Sequence, residues 1–189
     1  MKPIAILSDI HANLPALLAV LREVQTSGAA RVIFLGDLVG YGASPAECVA
    51  WVRKLGGDCV MGNHDVEVEN VRRPGFRFYD PEWQQRGYQA GLAHAAKSLD
   101  MEQAGWLARL PYTMTIPGAV VAHGSWNDPE NFNSIEDAES AAPTLAALRQ
   151  REFKVVEFRK TEYNRLKAAK AIARAGLPLE SAVRPIPST

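Results

Sequence analysis

The chain has 189 residues, of which 47% are hydrophobic, enough for one domain with a sizeable core. Lysine plus arginine (21) equals aspartate plus glutamate (21), so there is no global electrostatic case for a nucleic acid or an anionic membrane as partner. No apolar run approaches the ~20 residues of a membrane span, a strand pattern already starts at Pro3, and Cys48 and Cys59 form no CxxC pair. A cytoplasmic protein with buried, reduced thiols is the expectation.

In chain order, Pro3 to Leu7 (PIAIL) reads as a buried strand. Asn13 caps a helix starting near Leu14-Pro15, in which Leu14, Leu17, Leu18, Leu21 and Val24 recur at helical spacing until Ser27-Gly28. Arg31 to Leu35 (RVIFL) is a second strand, so the start is β-α-β and implies a parallel pair. Ser44-Pro45 opens a helix carrying Val49, Val52 and Leu55, stopped by Gly56-Gly57, and Asp58 to Met61 is a third strand. Residues 66 to 80 show no clear period and read as a loop. Asp80-Pro81 opens a helical stretch to about Ser98, and a shorter helix capped by Asp100 ends at Leu110-Pro111. Tyr112 to Ile116 and Ala119 to Ala122 flank Pro117-Gly118 as a hairpin. A capped helix from Ser134 to about Gln150, a strand from Phe153 to Phe158, and a helix capped by Thr161 and stopped at Gly176 complete the pattern. Residues 1–189 thus read as a single domain, with 177–189 as a surface tail.

Each apolar run ends in chemistry. Asp9 and His11 alternate just past the first strand, and in an extended segment residues i and i+2 point the same way, within reach of one cation. Asp37 follows Gly36 at the C-terminal end of the second strand, the edge where open α/β sheets bind ligands. Two carboxylates converging there repel unless a cation or proton lies between them. In Gly62-Asn63-His64-Asp65, Asn63 offers a neutral oxygen to a metal, His64 offers a proton or hydrogen bond, and Asp65 is expected to hold the imidazole. His123 ends the last hairpin strand and offers a nitrogen. His94, among alanines at helical spacing, reads as a packing or surface residue. The segment Arg72 to Tyr79 mixes cations with aromatics; a solvated loop with inward aromatics outweighs a phosphate- or base-binding role there.

These pieces resemble the calcineurin-like metallophosphoesterase superfamily, in particular its small bacterial phosphodiesterase/phosphatase branch. The match is carried by SDIHANLPAL, GDLVGYGASPAECV, GNHD, AHGSWNDPENF (Trp126 where proline is usual) and EFRKTEYNRLKAAKAIARAGLP. It covers residues 3 to about 148 and about 153 to 184. The resemblance implies an α/β sandwich of two β-sheets flanked by helices. It also implies two divalent ions (manganese, iron or zinc), one held by Asp9, His11 and Asp37 and the other by Asp37, Asn63 and His123. His64, supported by Asp65, would be catalytic, and a hydroxide bridging the ions would attack a small phosphate mono- or diester. Two cations about 3.5–4 Å apart do generate hydroxide at neutral pH and neutralise phosphoryl charge.

The chain departs from the branch at one place. His123-Gly124 should lead, through a helix and a strand, to Gly-His-x-His; here that block is absent, and the chain's four histidines are His11, His64, His94 and His123. Each metal loses an imidazole and one sheet is truncated, leaving an edge that residues 150 to 158 or a second copy of the chain would cover. Two functions follow: a phosphoesterase with a weakened site, or a catalytically impaired scaffold or binding protein that keeps the fold.

Overall fold

The computed structural model describes residues 2–78, 80–82, 86–133, 139–140 and 163–178. Strand β1 (Ile4–Leu7), helix α1 (Leu14–Thr26) and strand β2 (Arg31–Phe34) form the expected β-α-β start. The two strands pair in parallel, with Ile4 opposite Arg31 and Leu7 opposite Phe34. Asn13 caps α1, its side-chain oxygen accepting the Ala16 N–H at 3.2 Å, and Pro15 occupies a first-turn position where its missing N–H costs nothing. Helix α2 (Pro45–Lys54) buries Cys48, Val49 and Val52. Leu55, assigned to that apolar face from its spacing, is 41% exposed because the helix has already ended.

The third strand is shorter than its sequence suggests. It survives as a parallel bridge between Cys59 and Phe34, in which the Phe34 N–H donates to Asp58 and the Val60 N–H donates to Phe34. The next N–H, of Met61, turns away to the carbonyl of Pro111.

Residues 66 to 72 are helical, contrary to the loop expected from their lack of period. Helix α3 (Asn63–Arg72) packs on α4 (Gly87–Ser98) and α5 (Met101–Leu107). Its stability is tertiary: Asp65, in its first turn, reaches back to accept the N–H of Gly62 at 3.0 Å. Helix α4 begins at Gly87, later than Asp80-Pro81 suggests. Asp100 caps α5 as expected, accepting the Gln103 N–H at 2.7 Å.

Strands β3 (Thr113–Ile116) and β4 (Ala119–Ala122) form the antiparallel hairpin around Pro117-Gly118. Helix α6 (Arg165–Arg174) is capped by Asn164, which accepts the Lys167 N–H at 2.8 Å, three residues after the cap expected at Thr161. The helix expected over 134–150 and the strand over 153–158 lie outside the described residues, apart from Glu139 and Ser140, which are helical.

Two cores follow from strand alternation. Ile33 and Val60 join Ile116 and Val121 of the hairpin in one cluster, so the hairpin packs on one face of the parallel strands. Their neighbours Phe34 and Cys59 point the other way, into a larger cluster with Leu17, Leu38, Val49, Val52, Leu92 and Leu107 from the loops and helices. This is the sandwich of two small sheets with helices outside. Full burial of a side chain such as Phe34 contributes about 1.5–3 kcal/mol. Both cysteines are free and buried, and burial pushes both thiols well above their ordinary range, as expected of inert core residues. No described helix is long and apolar enough to cross a membrane.

Candidate metal centre

The ends of β1 and β2 run on side by side as irregular chain. The Asp9 N–H donates to the carbonyl of Gly36, that of His11 to Asp37, and that of Ala12 to Leu38. The segments are not extended, as the alternation argument supposed. Asp9, His11, Ala12, Asp37 and Tyr41 all have left-handed φ, between 47° and 54°. For residues other than glycine that conformation costs roughly 1–2 kcal/mol each, and it persists only where surrounding bonds over-determine it. The left-handed turns bring Asp9 and His11 together by a different route: His11 Nε2 lies 3.4 Å from Asp9 Oδ1.

Asp37 is the hub. Its Oδ2 faces three imidazole nitrogens, at 3.6 Å from His11 Nε2, 3.9 Å from His64 Nε2 and 3.5 Å from His123 Nε2. Its Oδ1 accepts the backbone N–H of His64 at 2.9 Å. Asn63, half-buried, is therefore one peptide unit from this bond, as the first residue of α3. Gly62, the residue before, lies so close that an added Cβ would be 2.2 Å from Asp37 Oδ1.

The bonds Asp65 makes are to backbone rather than to the expected imidazole. Its Oδ2 accepts the N–H of Asp37 at 2.8 Å and of Gly62 at 3.0 Å, and its Oδ1 that of Leu38 at 3.0 Å. The carboxylate thus locks the β2 loop to the start of α3 and acts on Asp37 through the main chain.

The electrostatics calls for a cation. His11 Nδ1 faces the carbonyl of Val39 and His123 Nδ1 that of Leu35, so each ring donates through Nδ1 and turns the Nε2 lone pair toward Asp37. Lone pair against carboxylate is repulsive unless a proton or a metal lies between. Two ligand atoms on one ion, each about 2.1 Å from it at tetrahedral angles, are about 3.4 Å apart. The observed spacings of 3.4 to 3.9 Å are close to that separation. The ligand-capable atoms fall into two groups that share Asp37, namely His11–Asp37–His64 and Asp9–Asp37–His123, each within 4.8 Å. The donor set therefore fits divalent metal: His11 lies between Asp9 and Asp37, His64 stands beside His11 and Asp37, and His123 is close to both Asp9 and Asp37.

Proton affinities report the same field. The side-chain hydrogen bond from His11 holds Asp9 well below the usual carboxylate range, against burial. Burial pushes Asp37 up, but the His123 hydrogen bond and the charges of His64, His123 and His11 prevail and leave it lowered. Burial and then the charge of Asp37 push Asp65 up to about 7, against its three backbone donors. Burial would lower His123, yet its bond to Asp37 raises it to about 9. A proton on His123 fills the role that a metal would fill.

His94 lies apart from the centre, its Nε2 against the carbonyl of Ala43 at 3.2 Å, as a packing histidine should. Arg72 donates to the carbonyls of Ala96 and Leu99 at the end of α4, and Phe76 and Phe78 pair edge-on at 5.0 Å. They line an open cleft of about 600 Å³ at the opposite end of α3 from His64, which favours the structural reading of that segment. Tyr79 lies outside the described residues. Trp126 is half-buried beyond His123. Two residues missed in the sequence, Tyr41 and Tyr88, pack against His64 at centroid distances of 5.0 and 4.8 Å. Tyr41 lies inside GDLVGYG and was open to suspicion; nothing local marks Tyr88, which α4 brings in from afar.

Comparison with known proteins gives a family and a fold. A family model described as calcineurin-like phosphoesterase matches residues 2–165. An uncharacterised protein of Methanocaldococcus jannaschii is 52% identical over 65 residues, which are 34% of this chain and 27% of that protein, so the match spans about a quarter of the relative. The crystal structure of a metallophosphoesterase from Sphaerobacter thermophilus superposes with a TM-score of 0.74 at 25% identity, covering 97% of this chain and 98% of that one. A hypothetical protein from Pyrococcus horikoshii superposes with a TM-score of 0.76 at 17% identity over 96% of each chain, a likeness of fold.

Proposed function

The chain belongs to the calcineurin-like phosphoesterase family, and from that premise we propose that it is a metal-dependent hydrolase of small phosphate mono- or diesters with a dinuclear centre of reduced affinity. The observation that carries this reading is the convergence of three imidazole Nε2 atoms and one buried carboxylate oxygen at Asp37. Asp9, His11 and Asp37 would hold one ion, and Asp37, Asn63 and His123 the other, with Asp37 shared. When bound, such a pair of ions supplies hydroxide at neutral pH and neutralises charge on the phosphoryl oxygens. Manganese, iron and zinc all suit this set of carboxylate, amide and imidazole donors.

The chain's own residues do the rest. Asp65 fixes the backbone of Asp37 and Leu38, and the His64 N–H holds the hub carboxylate itself. The Val39 and Leu35 carbonyls orient His11 and His123. His64 donates a proton from Nε2 to the leaving oxygen as the P–O bond breaks. The test is hydrolysis of p-nitrophenyl phosphate and its bis ester with Mn²⁺, abolished by chelation. Asp37→Ala should lower the rate by on the order of 100-fold or more, and an unchanged rate would sink the reading.

A second reading rests on the missing Gly-His-x-His segment: a silent scaffold that retains the fold. Calorimetric titration separates the two. Saturable heat with Mn²⁺ or Zn²⁺ at micromolar levels supports the hydrolase, and its absence supports the scaffold.

A further inference from the structure

Helix α4 brings more than apolar cover to the site. Tyr88, in its first turn, meets the His64 ring edge-on at 4.8 Å and 74°, and Tyr41, from the loop after Asp37, meets it at 5.0 Å and 43°. His11 closes a third side at 4.6 Å and 70°. The Tyr41 and Tyr88 rings also meet each other, with centroids 6.0 Å apart at 64°, so the two stand side by side against the imidazole. The approach of α4 is built into the backbone: a Cβ at Gly91, one turn past Tyr88, would lie 2.1 Å from the Tyr41 nitrogen.

We propose that Tyr88 is a positioning residue for His64: its ring, with that of Tyr41 beside it, fixes the imidazole with Nε2 toward Asp37. This rests on the reading of His64 as proton donor. A general acid works only when its proton is held on line, and an ångström of misplacement costs on the order of 100-fold. An imidazole linked to α3 by two rotatable bonds needs such walls, because its backbone bond to Asp37 does not set the ring angle.

The test compares phenyl phosphate, whose leaving oxygen needs a proton, with p-nitrophenyl phosphate, whose leaving oxygen needs one far less. It uses the full Mn²⁺-loaded chain for rates and the metal-free and Zn²⁺-loaded chain for long-range ¹⁵N–¹H imidazole spectra. Tyr88→Ala should slow phenyl phosphate on the order of tenfold or more and p-nitrophenyl phosphate much less. It should shift the His64 ring signals while leaving those of His94 in place. Tyr88→Leu, which fills much of the space without an aromatic ring, should act in the same direction to a smaller extent and serves if Tyr88→Ala does not fold. Tyr88→Phe, which keeps the ring, should track the parent. Equal loss on both substrates, or His64 signals unmoved in Tyr88→Ala and Tyr88→Leu, overturns the proposal. If the parent chain hydrolyses neither ester, the phosphoesterase reading fails, and the ring signals alone decide whether Tyr88 sets His64.

Discussion

Asp65 and Asp37 hold each other's segments in a crossed arrangement. The Asp65 carboxylate accepts the backbone N–H of Asp37 at 2.8 Å, while the Asp37 carboxylate accepts the backbone N–H of His64 at 2.9 Å. Each acid is thus bonded to the main chain of the other's loop, and neither loop can shift without breaking the other's bond. Two buried carboxylates this close are tolerable because one faces backbone donors and the other faces imidazoles and, as proposed, metal.

The crossed bonds give the first prediction. Asp65→Ala leaves the N–H groups of Gly62, Asp37 and Leu38 without their acceptor in a buried place. Each such loss costs about 1–3 kcal/mol, so the variant should lose about 3 kcal/mol or more in urea unfolding. Asp65→Asn, which keeps one acceptor oxygen, should lose less. Equal stability of Asp65→Ala and the parent would show that these bonds do not hold the loops.

Gly40 tests how tightly the centre is packed. It has φ of +87°, and an added Cβ would lie 2.2 Å from His64 Nδ1. Gly40→Ala must therefore displace the His64 ring as well as strain the backbone, and should both destabilise the fold by about 2–3 kcal/mol and cut hydrolysis. Gly28 separates the two effects, since it shares a left-handed φ (+74°) but faces open space. Gly28→Ala should lose only about 1 kcal/mol and keep its rate. Similar rates for the two variants would mean that the His64 ring adjusts freely.

Much of this was legible in the sequence where the information is local. The apolar runs ending in Asp9, Asp37 and His123 marked strands and their chemical ends, and Asn13 and Asp100 announced their helices because a cap acts on its own first turn. Helix α3 was illegible because its cause is distant: it lacks an apolar period and is set by the bonds of Asp65 and by packing on α4 and α5. The same distance hid Tyr88. The alternation of Asp9 and His11 pointed to the right meeting place by the wrong geometry, since left-handed turns bring them together.

The metal-free chain should respond to pH through His123. Asp37 raises the folded-state pKa of His123 from 6.5 to about 9. A group raised on folding contributes stability that is fully present below its unfolded value and is lost as pH rises through the folded value. Without metal, the melting temperature should therefore decline between about pH 6.5 and about pH 9, and His123→Gln should flatten that decline. A divalent ion takes the place of the proton and binds best when His123 is neutral, so stabilisation by metal should grow over the same range. At a free concentration about 100 times its dissociation constant, the ion adds about 2.7 kcal/mol, removed again by chelation. The check is a set of thermal melts with Zn²⁺ and with chelator across that range. A melting temperature of the chelated protein that stays level through pH 9 would mean that the Asp37–His123 pair carries no proton there, and that the cluster stands without either proton or metal between its charges.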